Sequence, residues 1–309
     1  MSRPSTALEG PLDLPTTLEV LRRWGDDRLD RWDGVIVRRT VVIDGEVVAW
    51  GGVPRGTVGQ PSLEVHTEDP RQLGAAIGAA RSLVITAPAA LRRLATADPL
   101  IARLYARWPG VGQLRYPDLL TALVRAISAQ QVNLRWAATT RARLALLCGR
   151  RHRVAAGEVW SLDAARLAAT SVADIRALQF TTRKAEYLIG VGEAVATGRL
   201  EVAELARLPD AEVVARLTAV RGIGRWSAEW VLARTLGRPV VVAGDLGVRR
   251  VVAAAYGDGR PVDEATVRQL TAHWGEAATV AQSLLLHAAA ADGDGVAGRP
   301  EALEATAAP

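Results

Sequence analysis

Residues 217–250 read LTAVRGIGRWSAEWVLARTLGRPVVVAGDLGVRR, and two features of this stretch decide how the rest of the chain is read. An amphipathic helical pattern is interrupted by Arg-Gly-Ile-Gly at 221–224 and resumes as RWSAEWVLARTLG; further on, a lone carboxylate, Asp245, stands between Gly244 and Leu246. The preceding segment LPDAEVVARLTAV is amphipathic as well, so the pattern predicts a helix, a tight hairpin and a second helix over about residues 209–237. Gly222 and Gly224 can take positive φ and leave the backbone uncovered. The turn is therefore expected to aim amide N–H groups outward, a geometry that suits a phosphate oxygen. Such a contact holds nucleic acid without reading its sequence. Taken alone, Gly-Ile-Gly is also an ordinary turn between packed helices.

The whole chain sets the context. Its 309 residues, 49% hydrophobic and 23% charged, suffice for two globular domains with sizeable cores. No run approaches the length of a membrane span, and the start MSRPSTALEGPLDLP has no apolar core of the kind a secretory signal needs, so a cytoplasmic, membrane-free protein is expected. Cys148 is the sole cysteine, which excludes an internal disulfide, a four-cysteine iron–sulfur cluster and a four-cysteine zinc site; it reads as a buried helix residue. His66, His152, His273 and His287 lack metal-ligand spacing, and none is assigned a catalytic role. Thirty-eight basic against 33 acidic residues give a net charge of +5, a modest field that permits an anionic partner. Lys184 is the only lysine.

Along the chain, residues 1–15 are polar and expected to be loose. The segment GVIVRRTVVIDGEVVAW has two β-branched runs meeting at Asp44-Gly45, PSLEVHT alternates as a third strand, and DPRQLGAAIGAARSL has helical spacing. Residues 16–95 are thus expected to form an N-terminal α+β domain. From about residue 97 strand signals nearly vanish, and segment after segment opens at Asp, Ser or Pro and continues at three- and four-residue apolar steps. Residues 96–290 read as a helical domain, and 291–309 as a disordered tail. The fold class is mainly α with an N-terminal α+β domain.

VRGIGRWSAEW followed by VVVAGDLGVRR, together with ALVRAISAQQV at 122–132, resembles the helix-hairpin-helix superfamily of DNA glycosylases, most closely the DNA-3-methyladenine glycosylase II, or alkylation-repair, branch. The resemblance extends over most of residues 16–290. It implies the helix-hairpin-helix glycosylase architecture, acting as a monomer on double-stranded DNA that contains damaged bases. The damaged purine is flipped into a pocket and its N-glycosidic bond hydrolysed. Asp245 falls at the catalytic position, where a carboxylate stabilises an oxocarbenium-like sugar and orients water. The same residue also suits the N-cap of LGVRRVVAAAY, and the two readings are compatible.

The resemblance further implies that Trp226, Trp230 and Leu246 line the base pocket. The tryptophans lie four residues apart, hence on one helix face, and indole stacking on a cationic alkylpurine contributes roughly 0.5–2 kcal/mol; the alternative is that the pair belongs to the core. Gln131 falls where the family inserts a side chain into the gap left by the flipped base; the alternative is a polar helix-end residue. Gly222, Ile223, Gly224 and Arg225 would face the DNA backbone. A sodium or potassium ion would be held by the carbonyls of Thr218, Val220 and Ile223, with no other cofactor. This chain departs from the pattern at Gly244, where many members carry a second acid, and at Leu246 and Ala289, aromatic in some relatives. Bifunctional members have a nucleophilic lysine where this chain has Trp226, which implies glycosylase without lyase chemistry. The competing reading is a non-catalytic helix-hairpin-helix DNA-binding module, which has no need of Asp245 or the tryptophan pair.

Overall fold

The computed structural model describes residues 4–292, so the expected tail lies outside the described residues beyond Asp292. Five strands form one antiparallel sheet in the order β1-β5-β4-β3-β2: β1 (Ser5–Ala7), β2 (Arg31–Trp32), β3 (Val37–Ile43), β4 (Glu46–Gly56) and β5 (Pro61–His66). Asp44 and Gly45 both have positive φ, 51° and 80°, which makes the tight β3–β4 turn read from Asp-Gly. The N-terminus differs from expectation. Ser5–Ala7 pairs with β5, and Leu12 and Leu14 are buried, so residues expected to be loose are pinned to the sheet and core. A three-residue edge strand has no period of its own to read; its partner defines it.

Two further strand pairs follow, β6 (Val84–Ile85) with β7 (Gln113–Leu114), and β8 (Gly149–Val154) with β9 (Gly157–Leu162). The β8–β9 hairpin interrupts the region expected to be helical. Its turn is Ala155-Ala156, both at positive φ (49° and 55°), so the usual Gly or Asn signal is absent, and Arg-rich β8 hides the alternation. The hairpin bonds to the sheet side through Trp160 N–H to the Arg28 carbonyl (2.9 Å) and Arg38 to the Ala155 carbonyl (2.9 Å).

Helices of seven residues or more are α1 (Leu73–Arg81), α2 (Pro88–Ala97), α3 (Pro99–Arg107), α4 (Leu119–Ala129), α5 (Leu134–Cys148), α6 (Thr182–Ala196), α7 (Asp210–Thr218), α8 (Arg225–Val231), α9 (Leu246–Tyr256), α10 (Glu264–Thr271) and α11 (Ala278–Ala291). Cys148 is buried at the end of α5. Two hydrophobic cores organise them, and they do not divide at residue 95/96. The sheet shares one core with α4–α8, through Trp50, Leu63, Leu123, Leu144, Leu188 and Leu217. Helices α2 and α3 instead join α9–α11, with Leu91, Ile101, Val251 and Leu284 in the second core. Asp98 fastens that core: it caps α3, accepts the Tyr256 hydroxyl at 2.6 Å and lies 2.9 Å from His273 Nε2.

Where the sheet meets α4 and α5, a cluster of charges is buried. Arg125 of α4 reaches Asp30 (2.7 Å) and Asp27, Arg141 of α5 reaches Asp27 (2.9 Å), and Arg39 of β3 pairs with Asp30. Burial alone would raise the pKa of Asp27, but Arg125 and Arg141 outweigh it and hold the carboxyl below its ordinary value. Tyr116 lies against the same cluster, its ring centroid 4.9 Å from the Arg125 guanidinium carbon and 5.4 Å from that of Arg39.

Arg125→Met leaves two buried carboxylates short of a partner and is expected to cost about 3–5 kcal/mol in denaturant unfolding. Asp27 is depressed below its unfolded value of about 3.9, so its contribution is complete above that pH and is lost as pH falls toward the folded pKa. Without Arg125 burial gains weight against fewer opposing charges, and the acid-unfolding midpoint is expected to move to higher pH.

Candidate active site

The hairpin is built from α7, whose Val213 and Leu217 are buried, and from α8. Between them the Ile223 N–H donates to the Val220 carbonyl at 3.0 Å and the Ile223 side chain plugs into the core. Ile223 can therefore offer a ligand its backbone but not its side chain. Gly222 has φ 92°, and a Cβ there would fall 2.2 Å from the Tyr187 ring, so glycine is required twice over. Gly224 corrects the expectation of positive φ: it is extended (φ −94°, ψ 177°) as the N-cap of α8, and nothing lies within 4 Å of where its Cβ would be. What Gly224 supplies is open space above the backbone. Arg225 is exposed, and its Nε donates to Glu229 Oε1 at 2.8 Å.

The loop after α4 is tied to this hairpin. Gln130 Nε2 donates to the Gly222 carbonyl (3.1 Å), and Lys184 Nζ donates to the carbonyls of Ser128 (3.0 Å) and Gln130 (2.6 Å). Lys184 thus stands one residue from the hairpin in space, a relation its sequence position conceals. Burial lowers its pKa. The next residue, Gln131, is exposed at φ 54°, a left-handed conformation rare for glutamine, and projects from a loop whose neighbours are fixed.

Beyond α8 the helix widens into a π turn, Leu232–Leu236, closed by Gly237 at φ 73°. The chain then runs alongside α11, with Val240 N–H on Thr279 Oγ1 (3.1 Å) and Val242 N–H on Gln282 Oε1 (2.8 Å), and delivers Asp245 to the start of α9. Both oxygens of Asp245 are held. Oδ1 accepts the Val248 N–H at 3.1 Å as an N-cap, and Oδ2 accepts Trp226 Nε1 at 3.1 Å. The Cβ missing at Gly244 would lie 3.0 Å from Glu264 Oε1, so the carboxylate of α10 occupies the space of the absent second acid. The sequence carries no signal for that substitution from another element.

Leu246 is 77% exposed beside Asp245. Trp226 and Trp230 are half-buried on the same face, but Trp230 is no open platform: Tyr116 stacks on it (5.2 Å between centroids, 30° between planes) and the Arg234 guanidinium carbon lies 5.1 Å from its centroid. Ala289 is buried in the second core. Among the described residues no cluster of His, Cys, Asp and Glu could hold a metal ion, and no helix is long and apolar enough to cross a membrane.

A hairpin flanked by two helices, with an aspartate capping the next long helix and bonded back to the first turn of the hairpin helix, defines a helix-hairpin-helix architecture with a carboxylate fixed beside it. Residues 124–276 match the family described as HhH-GPD superfamily base excision DNA repair protein, and the chain belongs to that superfamily. Over 188 residues it is 28% identical to the DNA-3-methyladenine glycosylase of Bacillus subtilis, covering 59% of this chain and 61% of that protein, less than two thirds of its length. The 3-methyladenine DNA-glycosylase from Archaeoglobus fulgidus shares the fold over 93% of this chain and 98% of its own, with a TM-score of 0.79 at 24% identity. A DNA-3-methyladenine glycosidase from Bacillus halodurans aligns with a TM-score of 0.57 at 26% identity, over 72% of this chain and 98% of its own.

The two hairpin glycines should separate cleanly in denaturant unfolding. Gly222→Ala meets both a left-handed backbone and the Tyr187 ring and is expected to cost about 2–4 kcal/mol, whereas Gly224→Ala is expected to stay within about 0.5 kcal/mol of wild type.

Proposed function

We propose that the protein is a monofunctional DNA glycosylase that removes alkylated purines, of the 3-methyladenine and 7-methylguanine type, from double-stranded DNA. The observation that carries this reading is the Asp245 carboxylate, half-buried, fixed through both oxygens, and tied by Trp226 to the helix that opens at Gly224. A protein that only bound DNA would gain nothing from a carboxylate there, because it repels phosphate. For glycosidic cleavage the same charge is useful: positive charge develops on the sugar as the bond to the base breaks.

In this reading the exposed backbone at Gly224 holds phosphate, and the anchored hairpin sets how deeply the duplex sits. Thr218 and Ile223 carbonyls accept no backbone hydrogen bond among the described residues, and Val220 accepts one, so these three oxygens fit a monovalent cation; when bound, it adds positive charge beside the backbone phosphate. Gln131 enters the gap left by the flipped base, where its amide can pair with the orphaned partner. The base enters beside Trp226 and Leu246. Asp245 orients a water whose oxygen bonds to C1′ as the bonding pair leaves with the purine, and the water's proton passes to Asp245 or solvent. A cationic alkylpurine departs neutral. Trp226 stands where an amine would be needed for imine chemistry, and the Lys184 ammonium is engaged by two carbonyls.

Asp245→Asn keeps an N-capping oxygen and the side-chain shape but loses the charge. Single-turnover release of methylated purines from randomly methylated duplex is expected to fall by about 10²-fold or more, with unchanged melting temperature and equal or tighter DNA binding. Near-wild-type rates would remove Asp245 from the chemistry. Wild-type product strands are expected to stay intact until alkali is added, read on a denaturing gel; scission without alkali would restore a lyase step.

A further inference from the structure

Lys184 stands in the first turn of α6, the end of a helix where positive charge is disfavoured. Its charge serves a different helix. Nζ donates to the carbonyls of Ser128 (3.0 Å) and Gln130 (2.6 Å) at the C-terminal end of α4, where carbonyls lack intrahelical partners and a cation suits the helix dipole. The second carbonyl belongs to the peptide that joins Gln130 to Gln131, so holding it fixes the plane from which the Gln131 backbone turns to φ 54°. On the far side Asn133 caps α5 by accepting the Trp136 N–H at 2.8 Å, which leaves Gln131 and Val132 as the connection between two anchored helix ends.

The same face of α6 supports the hairpin. Tyr187, three residues on from Lys184 and so its neighbour on the helix surface, lies against Gly222, where a Cβ would fall 2.2 Å from its ring. Gln130 Nε2 closes the circuit on the Gly222 carbonyl at 3.1 Å. One helix face therefore sets the spacing between the residue that projects at 131 and the turn at 222–224.

Resting on the glycosylase reading above, in which Gln131 enters the gap left by the flipped base, we propose that Lys184 is a positioning residue for base extrusion. From α6 it holds the Gln130–Gln131 peptide at a fixed place relative to the Gly222 turn, so that backbone contact at the hairpin and entry of Gln131 occur in one register. Left-handed φ is unfavourable for glutamine, and a free two-residue loop would relax out of it. Relaxation turns the side chain away from the gap, and the lost order then has to be restored during extrusion. With the peptide clamped, that order is already present in the free protein. Lys184 acts through Gln131, not on the base.

The test is a double-mutant cycle of Lys184→Met and Gln131→Ala. For each protein three quantities are measured: the single-turnover rate of methylated-purine release from randomly methylated duplex at saturating protein, the affinities for undamaged duplex and for a duplex with a tetrahydrofuran abasic analogue, and the melting temperature. Lys184→Met is expected to lower the saturated rate about tenfold and to reduce the preference for the tetrahydrofuran duplex, with undamaged-duplex binding unchanged. In the Gln131→Ala background the same substitution is expected to change rate and preference by less than about twofold, because the residue it positions is gone. Lys184→Arg keeps the charge and the N–H donors and is expected to recover part of the rate; should Lys184→Met not fold, the cycle is run with Lys184→Arg, whose remaining loss must likewise vanish in the Gln131→Ala background. Equal losses with and without Gln131, an unchanged rate and preference, or a matching loss of undamaged-duplex binding overturns the positioning role and leaves the glycosylase reading intact. Gln131→Ala with wild-type rate and preference overturns it as well. Wild-type protein that releases no methylated purine overturns the glycosylase reading, and the tetrahydrofuran preference across the cycle then decides the role of Lys184.

Discussion

Two carboxylates, Asp27 and Asp30, are enclosed between the sheet and the helices, and the placement of the site depends on their being matched by Arg39, Arg125 and Arg141. Each arginine comes from a different element, so pairing fixes β3, α4 and α5 against the loop before β2. The consequences run outward along two routes. Arg125 sits within α4, whose C-terminal end leads into Gln130 and its hydrogen bond to the hairpin at Gly222. Tyr116 rests on the cluster and stacks on Trp230 of the hairpin helix. The hairpin is therefore held from below by ring packing and from the side by an amide, both referred to the same buried charges. Such clusters contribute little net stability compared with apolar packing, since desolvation offsets the attraction; their contribution here is to permit one arrangement of the layers.

At the site itself the constraints are short and directional. Asp245 is oriented by a backbone N–H from its own helix and an indole N–H from another, so neither rotation nor translation of the carboxylate is free. The glycines on either side act differently from one another. Gly244 yields its volume to Glu264, and at Gly247 a Cβ would sit 3.1 Å from Asp245 Oδ1, which glycine avoids. The segment upstream of Asp245 is pegged to α11 by Thr279 and Gln282, so the second core positions the carboxylate while the first positions the hairpin. The two cores meet functionally at the Trp226–Asp245 hydrogen bond.

The parts legible in the sequence are those governed by local rules. The hairpin over 209–237, the Asp44-Gly45 turn, the Asp245 cap and the positive φ of Gly222 each follow from residues close to one another in the chain. What escaped reading depends on distant partners or on uncharacteristic residues. The β8–β9 hairpin turns on two alanines, β1 exists only because β5 has a free edge, and α2 looks like part of the N-terminal unit until α9–α11 are present to receive Leu91 and Leu94. Gly224 looked like a second left-handed glycine and is instead extended, a distinction carried by its neighbours rather than by its identity. Lys184, Glu264 and Arg234 are ordinary charged helix residues in sequence; only the packing brings them to the hairpin, to the vacated space at 244 and onto Trp230.

The excursion of α2 and α3 into the second core also bears on the order of assembly during synthesis. The first core needs residues up to Leu232, and a chain emerging from the ribosome has these in hand while α11 is still unmade. Helices α2 and α3 emerge early yet meet their partners last, because the core that Leu91 shares with Leu284 is complete only when almost the whole polypeptide is available. Closing so long a loop late in translation is slow compared with forming local contacts, and in the interval an amphipathic helix pair waits with its apolar face uncovered. The nascent protein is thus most open to chaperone capture or aggregation after the sheet and hairpin have formed, at the moment when the hairpin is already in place but the segment that carries Asp245 has no wall to lean on.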